Sequence, residues 1–114
     1  MSELNESIVL AKAVFKTTQQ LGIDQAQLEV ILGLPLNSNG SLALDPISKE
    51  GKSALSLIRI YQALYALCGG DVDRMRYFMN STNEVTGGVP IHQIETAAGL
   101  DTVLQYVEAM LAKG

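Results

Sequence analysis

Residues 70–114 read G-D-V-D-R-M-R-Y-F-M-N-S-T-N-E-V-T-G-G-V-P-I-H-Q-I-E-T-A-A-G-L-D-T-V-L-Q-Y-V-E-A-M-L-A-K-G, and the reading of this stretch decides the fold. Asp71 stands where a helix N-cap belongs, with Met75, Phe78 and Met79 at helical spacing behind it. Asn80 to Gly88 reads as a loop, Gly87-Gly88 as a turn that wants positive φ, and Pro90 as the first residue of a short helix. Gly99 is expected to break that helix. Leu100, Val103, Leu104, Val107 and Leu111 then stripe a terminal amphipathic helix.

Upstream, Ile8, Ala11, Val14, Phe15 and Leu21 predict a first amphipathic helix over residues 4–20, ended by Gly22. Asp24 opens a second helix, and Gln27 three residues on completes a capping box. Its buried stripe is Ala26, Leu28, Ile31 and Leu32, with Gly33 and Pro35 as the stop. L-N-S-N-G-S-L-A-L at 36–44 reads either as a short helix over 37–43 or as a turn at Asn39-Gly40. Ser48 caps a long helix from Lys49 to Cys68. Its apolar positions Leu55, Ile58, Tyr61, Ala63, Leu64, Tyr65, Leu67 and Cys68 cover more than one face. Such a helix lies at the centre of a bundle or meets a second protomer. No stretch alternates with period two, so the fold class is all-α, a small helical bundle of about six helices.

The bulk numbers narrow the function. The chain has 114 residues, 47% hydrophobic and 18% charged, with a net charge of −4. That balance is globular, and the negative sign disfavours nonspecific binding to nucleic acid or anionic membrane. No basic leader or membrane-length apolar run is present, so the expected location is cytoplasmic. Cys68 is the single cysteine and His92 the single histidine, which leaves no pair of either for an internal disulfide or a two-histidine metal site. Cys68 reads as a buried structural thiol. Asp24 and Asp71 are explained as caps, and Gly87-Gly88 lacks the basic residue of a phosphate loop. The chain is therefore read as not an enzyme, with no catalytic residue, metal or cofactor.

Order and spacing together resemble the toxin-binding domain of the Xre/MbcA/ParS antitoxins. Tyr77-Phe78 stand where that family usually has tryptophan followed by leucine. Asn83 precedes Gly87-Gly88, Pro90-Ile91 open the short helix, and Thr96 with Gly99 form a Thr-x-x-Gly element. Val103 and Tyr106 lie in the last helix, and Gly114 matches a frequent terminal glycine. L-D-P at 44–46 and R-I-Y-Q-A-L-Y-A-L at 59–67 extend the likeness upstream. Leu21 to Leu36 resembles the first half of an Xre-type helix-turn-helix.

A homodimer is expected because the helix at 49–68 carries more apolar surface than one small domain readily covers, and the resemblance implies an antitoxin that occludes a RES-domain, NAD-consuming toxin. It divides the chain into a helix-turn-helix half at 1–48, a central helix at 49–68 and a toxin-binding part at 69–114. The implied toxin-contacting residues are Tyr77, Asn83, Glu84, Gly88, Pro90, His92, Glu95, Tyr106 and Lys113. Operator contacts, if the helix-turn-helix still reads DNA, would come from Asn37, Ser38, Asn39 and Ser41, with Lys49 and Lys52 as the nearest cations. The reading helix itself carries no lysine or arginine and contains Gly40, so an eroded remnant and a working operator reader both stay open. A transcriptional regulator acting without a toxin is the alternative function.

Overall fold

The computed structural model describes residues 3–35 and 44–113. Among them are six helices: α1 (Glu3–Leu21), α2 (Gln25–Leu32), α3 (Lys49–Leu67), α4 (Val72–Asn80), α5 (Pro90–Gln93) and α6 (Ala97–Lys113). The all-α expectation holds for these residues. The helix or turn expected at 37–43 lies outside them.

Helix α2 shows how local chemistry and tertiary contacts divide the labour. The Asp24 carboxylate accepts from the Gln27 backbone N–H at 2.8 Å, so the cap is made. The return half of the expected capping box is not. The Gln27 side chain instead reaches α5, where it donates to the Ile91 carbonyl. Ala26, expected in the buried stripe, is exposed, while Leu28, Ile31 and Leu32 are buried.

Helix α3 is central, touching α1, α2, α4 and α6. The residues that fill the core are Ala54, Leu57, Ile60, Ala63 and Leu64. Leu55, Tyr65 and Leu67 are exposed, so three of the apolar positions that cover more than one face of this helix lie on the surface. Cys68 is the C-cap of α3 and half-buried rather than buried. Its burial pushes the thiol above its ordinary pKa, against a smaller lowering by Arg74, so thiolate is scarce at neutral pH.

One cluster of buried apolar side chains runs from Leu10 on α1 to Val107 on α6. Fully buried Leu, Ile or Met side chains each stabilise by about 1.5–3 kcal/mol, so the core outweighs any single surface contact. Arg76 fastens α4 to the end of α1, its guanidinium donating to the Gln20 carbonyl at 3.0 Å and the Gln19 carbonyl at 2.7 Å. A cation there also suits the negative end of the α1 dipole. Among the described residues, no buried side-chain nitrogen or oxygen lacks a partner.

The largest revision concerns Gly99. It does not break the short helix but sits in the first turn of α6. Thr96 caps that helix: its hydroxyl accepts from the Gly99 N–H at 3.0 Å and its carbonyl from the Leu100 N–H at 2.8 Å. A Cβ on residue 99 would lie 1.9 Å from the Gln93 carbonyl oxygen. Glycine is there because α5 ends against the α6 backbone.

Candidate functional site

Helix α4 presents two faces. Asp71 caps it by accepting from the Asp73 and Arg74 N–H groups at 3.0 and 3.3 Å. Met75 and Met79, four residues apart, are fully buried, which throws Tyr77 outward with 76% of its surface exposed. Phe78 lies between these extremes, half-buried and stacked on Tyr106 of α6. The ring centroids are 6.1 Å apart and the planes 3° from parallel, an offset stack. Tyr106 is thereby held by its aromatic neighbour.

The loop after α4 is fixed by its own polar groups. The Asn83 side chain accepts from the Val85 and Thr86 N–H groups at 2.9 and 3.0 Å. The Asn83 N–H donates to the Gly88 carbonyl at 2.8 Å, closing the loop at its base. Thr86 is buried and gripped by Gln93 of α5. Its hydroxyl donates to the Gln93 amide oxygen at 2.8 Å, and the Gln93 amide nitrogen donates to the Thr86 carbonyl at 2.6 Å. A Cβ on Gly88 would stand 3.2 Å from that same amide carbon, so the close pass favours glycine. With Thr86 anchored inward, Val85 projects outward at 76% exposure.

Val85, Tyr106, Ala109, Met110 and Lys113 line an apolar groove of about 300 Å³. Glu84 is exposed beside Val85. A second, shallower groove of about 470 Å³ lies at the α2–α5 junction, lined in part by Gln27, Val30, Asn80, His92 and Glu95. Gln27 also donates to the Glu95 carboxylate at 3.2 Å across it. The structure therefore brings Tyr106 and Lys113 together and His92 and Glu95 together, in separate grooves. Tyr77 lines neither. Asn83 and Gly88 shape the loop, and Pro90 is buried at the start of α5.

Lys49 and Lys52 are exposed at the start of α3, in a groove of about 440 Å³ shared with Ser53, Ser56, Ala97, Leu100 and Asp101. Asn37, Ser38, Asn39 and Ser41 lie outside the described residues. Among the described residues, no cluster of three or more His, Cys, Asp or Glu side chains is placed to hold a metal.

Sequence reasoning overlooked Val85, Met110, Gln27, Thr86 and Gln93. Met110 was findable, because Tyr106, Met110 and Lys113 repeat at i, i+4, i+7 beside the core stripe. Gln27 was read only as half of a capping box, and Gln93 carries no such signal, since a glutamine in polar surroundings looks like solvated surface until its partner is known.

The described residues thus form an all-helical bundle whose Asn83–Gly88 loop is fixed by its own polar groups, with grooves open to solvent. Residues 63–113 match the family model described as the antitoxin Xre/MbcA/ParS C-terminal toxin-binding domain. The match takes in the end of α3, the Asn83–Gly88 loop, the Gln93 clamp and all of α6. No curated protein matches the chain.

Proposed function

We propose that the protein is the antitoxin of a type II toxin–antitoxin pair and that it neutralises a RES-type, NAD-consuming toxin by covering its cleft. The observation that carries this reading is the aromatic-walled groove of Val85, Tyr106, Met110 and Lys113, which lies within the family-matched stretch. Tyrosine suits such a surface because its ring is apolar and its hydroxyl wet. The RES partner rests on the resemblance of the motifs. The net charge of −4 agrees with it, since a dinucleotide cleft tends to be electropositive.

In this reading Tyr77, Glu84, Tyr106 and Lys113 touch the toxin directly, with His92 and Glu95 at a second contact. Asn83, Gly88 and Pro90 hold the shape that presents them. Residues 69–114 contact the toxin, residues 49–68 form the spine, and residues 1–48 supply dimerisation in a cytoplasmic homodimer. The division is one of labour, since all three parts share one core.

Co-purification of the toxin, with thermal melting of each variant, tests the assignment. Tyr106→Ala and Tyr77→Ala should each weaken capture by about 1–3 kcal/mol at unchanged helical content. Phe78→Ala and Leu104→Ala should instead cost about 2–5 kcal/mol of folding stability. If both tyrosine variants hold the toxin as firmly as the parent, the groove is not the toxin site.

Autorepression is the second reading, supported by the exposed Lys49 and Lys52 at one end of α3. Two cations per chain supply few phosphate contacts, so binding to the protein's own promoter should be weak and fall with salt. Tight promoter binding by the free protein, lost on changing Asn37, Ser38 and Ser41 to alanine, would show a working operator reader.

A further inference from the structure

An apolar groove of about 530 Å³ opens between α1 and α3, with Val9, Leu10, Ala13, Pro46, Leu55 and Ile58 along it and Glu6 at its rim. Val9 is 64% exposed, Leu55 40%, and Ile47, next to Pro46, 80%, an unusual concentration of uncovered apolar side chains for so short a chain. All of these residues precede the stretch that matches the toxin-binding domain, which begins at residue 63. The groove is thus built by a different part of the molecule from the toxin-facing surface.

Charge around the groove says what fits it. Along α1, the residues bordering it are Glu6, Val9 and Ala13, and the same stripe continues to Lys16. Steps of three, four and three residues keep all four on one helix face. Beside it, Leu10 forms the buried floor of the groove, and Ala11, Val14 and Leu21 face the core. The exposed stripe is apolar in the middle, acidic at one end and basic at the other. Glu6 and Lys16 make no ion pair among the described residues. Such a pattern is complementary to itself when turned end for end.

We infer that a second copy of this chain occupies the groove, with α1 crossing its symmetry mate antiparallel about a two-fold axis between Val9 and Ala13. Each Val9 then packs against the partner's Ala13, and each Glu6 meets the partner's Lys16, so the ion pair forms twice. Apolar burial along the groove and Leu55 supplies the affinity. The exposed charges fix direction and register, because such pairs contribute little by themselves while like charges in the same place repel strongly. This inference rests on the homodimer reading above and names the face that reading left open.

The test is charge reversal, read by sedimentation velocity and native mass spectrometry with circular dichroism as the folding control. The parent should be a dimer at tens of micromolar. Glu6→Lys and Lys16→Glu should each weaken the dimer by roughly tenfold or more, since each sets like charges together twice. The double variant should recover the parent's affinity. An equimolar mixture of the two single variants should form heterodimer well beyond the statistical share, because both pairs are then opposite in sign.

A dimeric parent whose single variants dimerise equally well, with no heterodimer preference, overturns the assigned face and leaves the homodimer reading standing. A monomeric parent overturns both. A monomeric parent that melts much lower on Val9→Asp shows that the chain itself covers the groove. Loss of toxin capture by the charge variants, at unchanged mass, makes this a toxin contact instead. Either of these last results also refutes the inference.

Discussion

Helices α3 and α6 begin with the same four-residue device. Ser48-x-x-Gly51 starts one and Thr96-x-x-Gly99 the other. In both, the hydroxyl accepts from the glycine N–H at 3.0 Å. In both, a Cβ on that glycine would come within 1.9 Å of a carbonyl oxygen, Asp45 in one case and Gln93 in the other. The two helices lie side by side, with their first turns lining one groove and Arg59 of α3 paired with Glu108 of α6. Only the second device falls within the family-matched stretch.

The difference between them lies in what presses on the glycine. Gly51 is buried, and the next nearest atoms, the Asp45 carbonyl carbon and the Pro46 Cα, are backbone of an Asp-Pro turn. Gly99 is half-buried, and its third neighbour is the Thr96 hydroxyl, a side-chain atom that can rotate. Its main obstacle is the last residue of a one-turn helix, and that residue's side chain grips the loop. A hydroxyl residue followed by x-x-Gly is therefore a folding device the chain uses twice. At α6 it also sets the position of Gln93, and through it the loop that carries Val85.

Alanine at the two glycines should break the comparison most sharply. Gly51→Ala should destabilise by about 3 kcal/mol and lower Tm by roughly 10 °C or more, with Gly99→Ala somewhat milder. Toxin capture by the folded proteins should rank the other way, because only Gly99→Ala displaces Gln93. Equal effects on both measurements would mean that the loop is indifferent to α5.

Gln93→Ala comes next. It removes both bonds to buried Thr86 and leaves the Thr86 hydroxyl only the 3.4 Å contact to the Asn83 carbonyl. The expected loss is about 1–3 kcal/mol, and hydrogen exchange at the Val85 and Thr86 amides should rise. Removing the caps, Ser48→Ala and Thr96→Ala, should cost about 1 kcal/mol each by denaturant unfolding. Smallest of all is Arg59→Ala. The Arg59–Glu108 pair is two-pronged, at 3.0 and 2.6 Å, yet exposed, so its loss should cost about 0.2–1 kcal/mol and vanish in high salt.

Helix existence was legible wherever caps and periodicity agreed. Asp24, Ser48 and Asp71 all cap the helices they were read to start. The reading failed where a residue's role depends on something distant in the chain. Gly99 looked like a helix breaker because glycine often is one, and its close approach to Gln93 is not a local property. Gln27 looked like half of a capping box because its spacing fits, yet the α5 carbonyl competes for its amide. In α3 a helix greasy on several sides left its inward face undecided, and Leu55 and Tyr65 turned out to face solvent.

The candidate site followed the same pattern. Tyr77 and Tyr106 could be picked from the motif alone. That Tyr106 stands against Phe78 and shares a groove with Val85, while His92 and Glu95 line another, depends on how α4, α5 and α6 pack.

What the sequence determined by itself was local: where helices start, which residue types could anchor a partner, and the likeness of the motifs to an antitoxin domain. Caps and 3.6-residue periodicity act within a few residues, so one chain suffices to show them. The tertiary structure alone decided which apolar face lies inward, what each glycine has to avoid and which side chains share a groove. Those are contacts between residues dozens of positions apart, such as Gln27 with Ile91 or Arg76 with Gln19. No local pattern encodes them, because they come into being only when the helices close on one core.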